Sequence, residues 1–208
     1  VPNVDDPTPL KKKKEKTQIE EVRLSDEVGK LIDLRKELEQ VKNKLITKVR
    51  HVSKGTVKAR SKTPYSVINK LIRKRLLGNK GLTDLVGAML VVKDERAIKA
   101  ALKEIKAGKA GKVVEHEDFY KNPLDGYRAH HFIVEVDGLP VELQLKTERM
   151  KKISAASHTP YKKGKLDSKE MLKLTSLAMK ADAGQRPAAL VIDQILKDEK
   201  KLINRLTK

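Results

Sequence analysis

The chain has 208 residues with no cysteine and no tryptophan, and its 47 Lys and Arg against 28 Asp and Glu give a formal charge of +19. The missing cysteines exclude disulfides, thiolate nucleophiles and zinc-thiolate sites, and the lack of any long apolar run excludes a membrane-spanning helix, so a soluble chain with no membrane partner is expected. The 38% apolar content suits one domain with one core, and the cationic excess points to phosphates, nucleic acid or an acidic protein as partner.

In chain order, V-P-N-V-D-D-P-T-P-L and K-K-K-K-E-K predict a linker and charged lead-in over 1–16, as expected where a domain is cut from a longer polypeptide or where a boundary simply falls. From Thr17 to about Arg50, Ile19, Val22, Leu31, Leu34, Leu38, Val41 and Leu45 recur at three- and four-residue steps. That spacing predicts one long amphipathic helix, or two, in an extension over 17–52 packed on the core, a partner-binding face being the alternative. H-V-S-K-G-T reads as a polar connector. In R-S-K-T-P-Y-S-V-I-N-K, the cations Arg60, Lys62 and Lys70 surround Thr63-Pro64, a good helix start predicted to run to Leu77 and stop at Gly78.

L-T-D-L-V-G-A-M-L-V-V is predicted as a strand, D-E-R-A-I-K-A-A-L-K-E-I-K as a helix stopped by Gly108, and K-V-V-E-H-E-D-F-Y as a further strand. A-H-H-F-I-V-E-V and L-P-V-E-L-Q-L-K flank Asp137-Gly138, a strong hairpin signal. Alternation then sets Glu142, Gln144 and Lys146 on one face and Val141, Leu143 and Leu145 on the other. It also sends His130 and His131 to opposite faces, one toward any site. A helix over Thr147 to His158, a basic loop around Y-K-K-G-K and two C-terminal helices within 168–206, broken near G-Q-R-P, complete an α+β plan: a mixed sheet of about five strands flanked by helices.

Asp84 at the start of one strand and Glu142 on another are two hard oxygen donors suited to Mg²⁺ if the sheet sets them side by side. With Arg60, Lys62 and Lys70 nearby, they offer the metal and cations that pyrophosphoryl transfer needs. Surface carboxylates matched by solvated lysines are the bland alternative. Tyr127, after Gly126, presents a ring for stacking on a base or fills a turn. No G-x-x-x-x-G-K-[ST] or G-x-G-x-x-G loop is present, so any nucleotide chemistry must use side-chain cations.

In order, R-S-K-T-P-Y-S, T-D-L-V-G, D-G-Y-R-A-H-H and E-L-Q-L-K-T-E-R-M, followed by A-A-S-H-T-P-Y-K, resemble the synthetase domain of the RelA/SpoT family. Its patterns are R-x-K-[ST]-P-x-S, D-L-x-[AG], G-Y-[RQ]-x-x-H and E-[IV]-Q-[IL]-[RK]-T-x-x-M, and the match runs over 60–162. The resemblance implies a nucleotidyltransferase-like synthetase fold in a single domain over 17–208, and transfer of the β,γ-pyrophosphate of ATP to a purine-nucleotide 3′-hydroxyl. It implies that Arg60 meets the ATP adenine, that Lys62, Lys70 and His158 meet the ATP phosphates, and that Asp84 and Glu142 hold Mg²⁺, Glu142 also serving as base. It implies that Tyr127, His131, Gln144 and Lys146 meet the acceptor.

Two departures stand out. Met89 replaces the arginine of D-L-x-[AG]-x-R, and K-N-P-L-D-G-Y is one residue short and lacks a lysine. These bear on the acceptor, while the spacing from Glu142 to His158 resembles that of small single-domain synthetases. A strongly basic synthetase domain with no hydrolase domain in these residues resembles toxic members of the family. Acceptors implied are guanine nucleotides, adenine nucleotides or the tRNA 3′ end. An acidic immunity or antitoxin protein is an implied partner, and the bacterial cytoplasm, reached directly or after delivery, is the implied place of action. A non-catalytic basic RNA-binding module remains the alternative outside enzymology.

Overall fold

The computed structural model describes residues 9–63, 65–67, 69 and 85–208. Helix α1 (Pro9–Val52) is a single element, and its Leu38, Val41, Leu45, Val49 and Val52 are buried against the sheet. Their three- and four-residue spacing keeps them on one face, so this part of the apolar stripe packs on the core. The helix starts at Pro9 rather than Thr17 and takes in the K-K-K-K-E-K run. Lysine and glutamate are good helix formers, and proline is tolerated in a first turn.

Among the described residues five strands follow: β1 (Thr56–Ser61), β2 (Val86–Val92), β3 (Lys112–Asp118), β4 (His130–Val136) and β5 (Leu139–Thr147). Their order in the sheet is β1-β2-β5-β4-β3, with β2 and β5 parallel and the other neighbours antiparallel. The mixed five-stranded sheet is the α+β plan expected from the sequence. β1 is an addition to the strands read from pattern. Exposed Thr56, Lys58 and Arg60 alternate with half-buried Val57, Ala59 and Ser61, so this edge strand has only a weak apolar face and charges on the other. The β4–β5 hairpin turns at Asp137 (φ 53°) and Gly138 (φ 77°), the positive-φ pair that a two-residue turn demands.

Helix α2 (Glu95–Lys106) is capped by Asp94, which accepts from Ala97 N at 2.9 Å, and buries Ile98, Ala101 and Ile105. With α1 it covers the face formed by Ala88, Leu90, Phe132, Val134, Leu143 and Leu145. Helix α3 (Glu148–Lys162) starts at Thr147, the expected position, but runs beyond His158 through Tyr161 and Lys162, so the basic loop is shorter than the sequence suggests. The C-terminal region holds α4 (Ser168–Asp182), α5 (Arg186–Ile195) and α6 (Glu199–Arg205), three helices where the pattern predicts two. Beyond the break at Gly184, a second one falls just before Asp198, which caps α6 by accepting from Lys201 N at 3.0 Å. Met150, Ile153, Met171, Leu174, Ile192 and Leu202 join α3 to these helices in a second apolar cluster.

Polar contacts set the angle of α3. Thr147 Oγ1 donates to the buried Asp182 at 2.7 Å. Arg149 donates to Asp182 at 2.7 Å and, with two nitrogens, to both oxygens of Asp193 at 2.8 Å each. The fork geometry of a guanidinium suits this double duty. It locks the first turn of α3 to α4 and α5 while its later turns reach over the uncovered sheet face. Among the described residues, no helix is long and apolar enough to cross a membrane.

Candidate active site

The face of the sheet away from α1 and α2 carries the polar positions of β5. Register places Glu142 between Gly87 of β2 and Ile133 of β4, with Arg60 of β1 opposite Gly87. The next row is Lys58, Met89, Gln144 and His131. Paired residues on neighbouring strands share a face, so these rows form the floor of one cleft. Its volume is 530 Å³, and Lys58, Arg60, Met89, Tyr127, Glu142, Gln144, Lys146 and His158 are among its lining residues. Ser154 and His158, one turn apart on α3, close it from above.

The arrangement unites six residues singled out from the sequence: Arg60, Tyr127, Glu142, Gln144, Lys146 and His158. His131 stands just behind the lining, its Nε2 2.8 Å from Tyr127 Oη, while His130 goes to the opposite face as alternation requires. Lys62 follows the end of β1, its backbone N donating to Leu85 O at 2.8 Å, and its side chain is not among the cleft lining. Lys70 and Asp84 lie outside the described residues. Lys58 was not anticipated, because its position facing the cleft depends on β1, which has no clear strand pattern.

A hydrogen-bonded chain holds Tyr127. Lys146 Nζ donates to its hydroxyl at 2.8 Å, the hydroxyl meets His131, and a longer contact of 3.4 Å reaches Gln144 Oε1. Gln144 in turn donates to Glu142 Oε1. Lys146 Nζ is 4.8 Å from the ring centroid, so it sits at the hydroxyl end of the ring and acts first as a hydrogen-bond donor. Phe119 packs edge-on against both Tyr127 and His131. Burial pushes the Tyr127 hydroxyl pKa up and the His131 imidazole pKa down, so both are neutral near pH 7.

Gly126 positions this ring. Its φ is +80°, and a Cβ there would lie 2.6 Å from Leu172 N and 2.9 Å from Met171 C on α4. Thr175 Oγ1 donates to Gly126 O at 2.9 Å, pinning the turn to that helix. Gly126→Ala is therefore expected to cost about 3 kcal/mol, from strained backbone and overpacking together. It should displace Tyr127 as well. A denaturant melt checks the cost, and a variant as stable as the parent would contradict this placement.

Lys146 is 2% exposed, and burial lowers its pKa to about 8, with Glu142 pulling the other way. Its positive charge is present below that pH and is lost as pH rises through it. If Lys146 meets an anionic acceptor, as the sequence resemblance implies, acceptor KM is expected to rise above pH 8, and Lys146→Gln should flatten that limb of the profile. A limb that survives in the variant would assign the titration elsewhere.

Glu142 is, among the described residues, the one carboxylate in the cleft lining, while Lys58, Arg60 and His158 stand along its rim. Among the described residues, no ion pair or side-chain hydrogen bond engages these three side chains, which leaves them open to an anion. No group of three or more His, Asp or Glu side chains suited to a metal occurs among the described residues. A hard divalent ion held by one or two carboxylates and completed by phosphate oxygens and water needs no such group. Glu142 fits that role: Gln144 engages one of its oxygens and leaves the other available.

A family model for the region found in RelA/SpoT proteins matches residues 59–166, just over half of the chain. Small alarmone synthetase 2 from Bacillus subtilis has a TM-score of 0.58 at 22% identity, over 76% of this chain and 96% of that one. Small alarmone synthetase 1 from Bacillus subtilis, bound to its product pppGpp, has a TM-score of 0.55 at 22% identity, over 83% and 96%. At these identities the likeness is one of fold. No curated protein is a significant match to the sequence.

Proposed function

The chain belongs to the RelA/SpoT family of nucleotide pyrophosphokinases, and from that membership we propose that its cleft transfers the β,γ-pyrophosphate of ATP to the 3′-hydroxyl of a purine nucleotide. The product would be of the (p)ppGpp or (p)ppApp type. The observation that carries this reading is the placing of one carboxylate, Glu142, between a cationic rim on one side and the Tyr127, Gln144 and His131 group on the other.

In this reading Arg60 and His158 receive ATP, with Lys62 and Lys70 as further phosphate contacts, and their charge offsets the charge spread over the transferred group. Tyr127 stacks on the acceptor base, and Gln144, His131 and Lys146 hold the ring and the acceptor's polar edge. Glu142 takes the proton of the attacking 3′-hydroxyl. Mg²⁺ would be held by Glu142 and Asp84 and would supply charge neutralisation at the phosphates. The strongly basic charge favours a toxin or effector role for the domain, acting on bacterial nucleotides, while the departures at Met89 and in the K-N-P-L-D-G-Y loop bear on which acceptor is used.

The test is incubation with Mg²⁺, γ-labelled ATP and each of GDP, GTP, ADP, AMP and deacylated tRNA. Label is expected in a purine nucleotide, and the preferred one defines the product. Label in tRNA alone would move the acceptor to the RNA 3′ end. Tight RNA binding with no labelled product from folded protein would favour the non-catalytic module.

A further inference from the structure

Resting on the reading that this cleft binds ATP, we propose that Lys58 is a phosphate-binding residue, supplying from β1 the positive charge that Met89 does not supply from β2. The register pairs Lys58 directly with Met89, so the two side chains project to the same face. Both line the cleft. Adjacent strands are about 4.8 Å apart, and an extended lysine reaches further than that. Its ammonium and an arginine guanidinium at position 89 would therefore serve the same volume.

Met89 is the one apolar member of the row Lys58, Met89, Gln144 and His131, and its thioether carries no charge. Without Lys58, Arg60 would be the only cation that the β1 side presents to the cleft lining among the described residues. Lys58 is exposed, and among the described residues no ion pair or hydrogen bond holds its side chain. A lysine on an edge strand also discourages pairing with another chain, but that role is indifferent to which face it takes. Lys58 takes the face with the carboxylate. An ammonium on a flexible stem suits a phosphate as a point charge with rotatable donors.

Exchanging the charge between the two strands provides the test. Binding of a non-hydrolysable ATP analogue is measured beside steady-state kinetics for Lys58→Ala, Lys58→Met, Met89→Arg and Lys58→Ala combined with Met89→Arg. Lys103→Ala on α2, across the sheet, serves as control. Lys58→Met keeps the apolar stem and removes only the charge.

Both Lys58 variants are expected to weaken the analogue about tenfold, the scale of one lost charge-assisted contact. Acceptor KM should stay within about twofold. Adding Met89→Arg to Lys58→Ala should restore affinity to within about threefold of the parent. Unchanged analogue affinity in Lys58→Met, a folded double variant no better than Lys58→Ala, or an equal loss of acceptor affinity would each overturn the assignment. A parent protein that binds the analogue, loses it on Lys58→Met and transfers nothing would overturn the transfer reading and leave this one standing.

Discussion

Glu142→Gln is expected to abolish transfer, with a fall of at least about a thousandfold in the single-turnover rate, while the protein stays folded. General-base catalysis alone is worth about 10²–10⁴-fold, and the same carboxylate is assigned to the metal. Glutamine has nearly the same shape, and its amide oxygen can still accept the hydrogen bond that Gln144 gives to Glu142 Oε1. The half-buried side chain is followed by Leu143, whose packing in the core does not change. A matched melting curve and retained ATP-analogue binding separate loss of chemistry from loss of fold. A variant that keeps more than a tenth of the parent rate would remove Glu142 from the base role.

The second large effect belongs to Tyr127. Tyr127→Ala is expected to lower efficiency with the acceptor by roughly ten- to a hundredfold, the equivalent of a stacking contact worth about 1–3 kcal/mol. ATP affinity should hardly move, because the ATP contacts are assigned to the β1 side. Tyr127→Phe keeps the ring but is not benign. The hydroxyl accepts from Lys146 at 2.8 Å, and Lys146 is almost wholly buried, so removing its acceptor should cost about 1–3 kcal/mol of stability. Tyr127→Phe is thus expected to melt earlier than the parent while retaining most acceptor affinity. Tyr127→Ala with unchanged acceptor KM, or with ATP binding lost in step, would place the acceptor elsewhere.

Those two residues also illustrate what the sequence made legible. The alternation in L-P-V-E-L-Q-L-K around Asp137-Gly138 carries enough information to place Glu142, Gln144 and Lys146 on one face, and the hairpin register bears this out. The helix over 95–106 and the start of α3 were legible for a similar reason, because Asp94 and Thr147 are local caps. β1 was not. Its pairing with β2 is decided by the neighbour strand, not by its own T-V-K-A-R-S pattern, and Lys58 was missed with it. Nor does the spacing of G-Y-R-A-H-H reveal that Gly126 is wedged against α4 or that the Tyr127 hydroxyl is tied to Lys146, since both depend on contacts with distant segments. The helix break before Asp198 is different in kind: Asp198 caps α6 by accepting from Lys201 N, the same local signal that Asp94 and Thr147 carry.

The most direct measurement is a product balance. Folded protein, Mg²⁺, ATP and the preferred acceptor are incubated together, and AMP, ADP and the modified acceptor are quantified by mass spectrometry. Transfer of an intact pyrophosphoryl group breaks the α–β phosphoanhydride bond and forms an ester at the 3′-oxygen, so AMP and a 3′-diphosphorylated acceptor should appear one for one, with no ADP formed in step. Formation of ADP with a monophosphorylated acceptor, or AMP without any modified acceptor, would contradict the assignment of pyrophosphoryl transfer to this cleft.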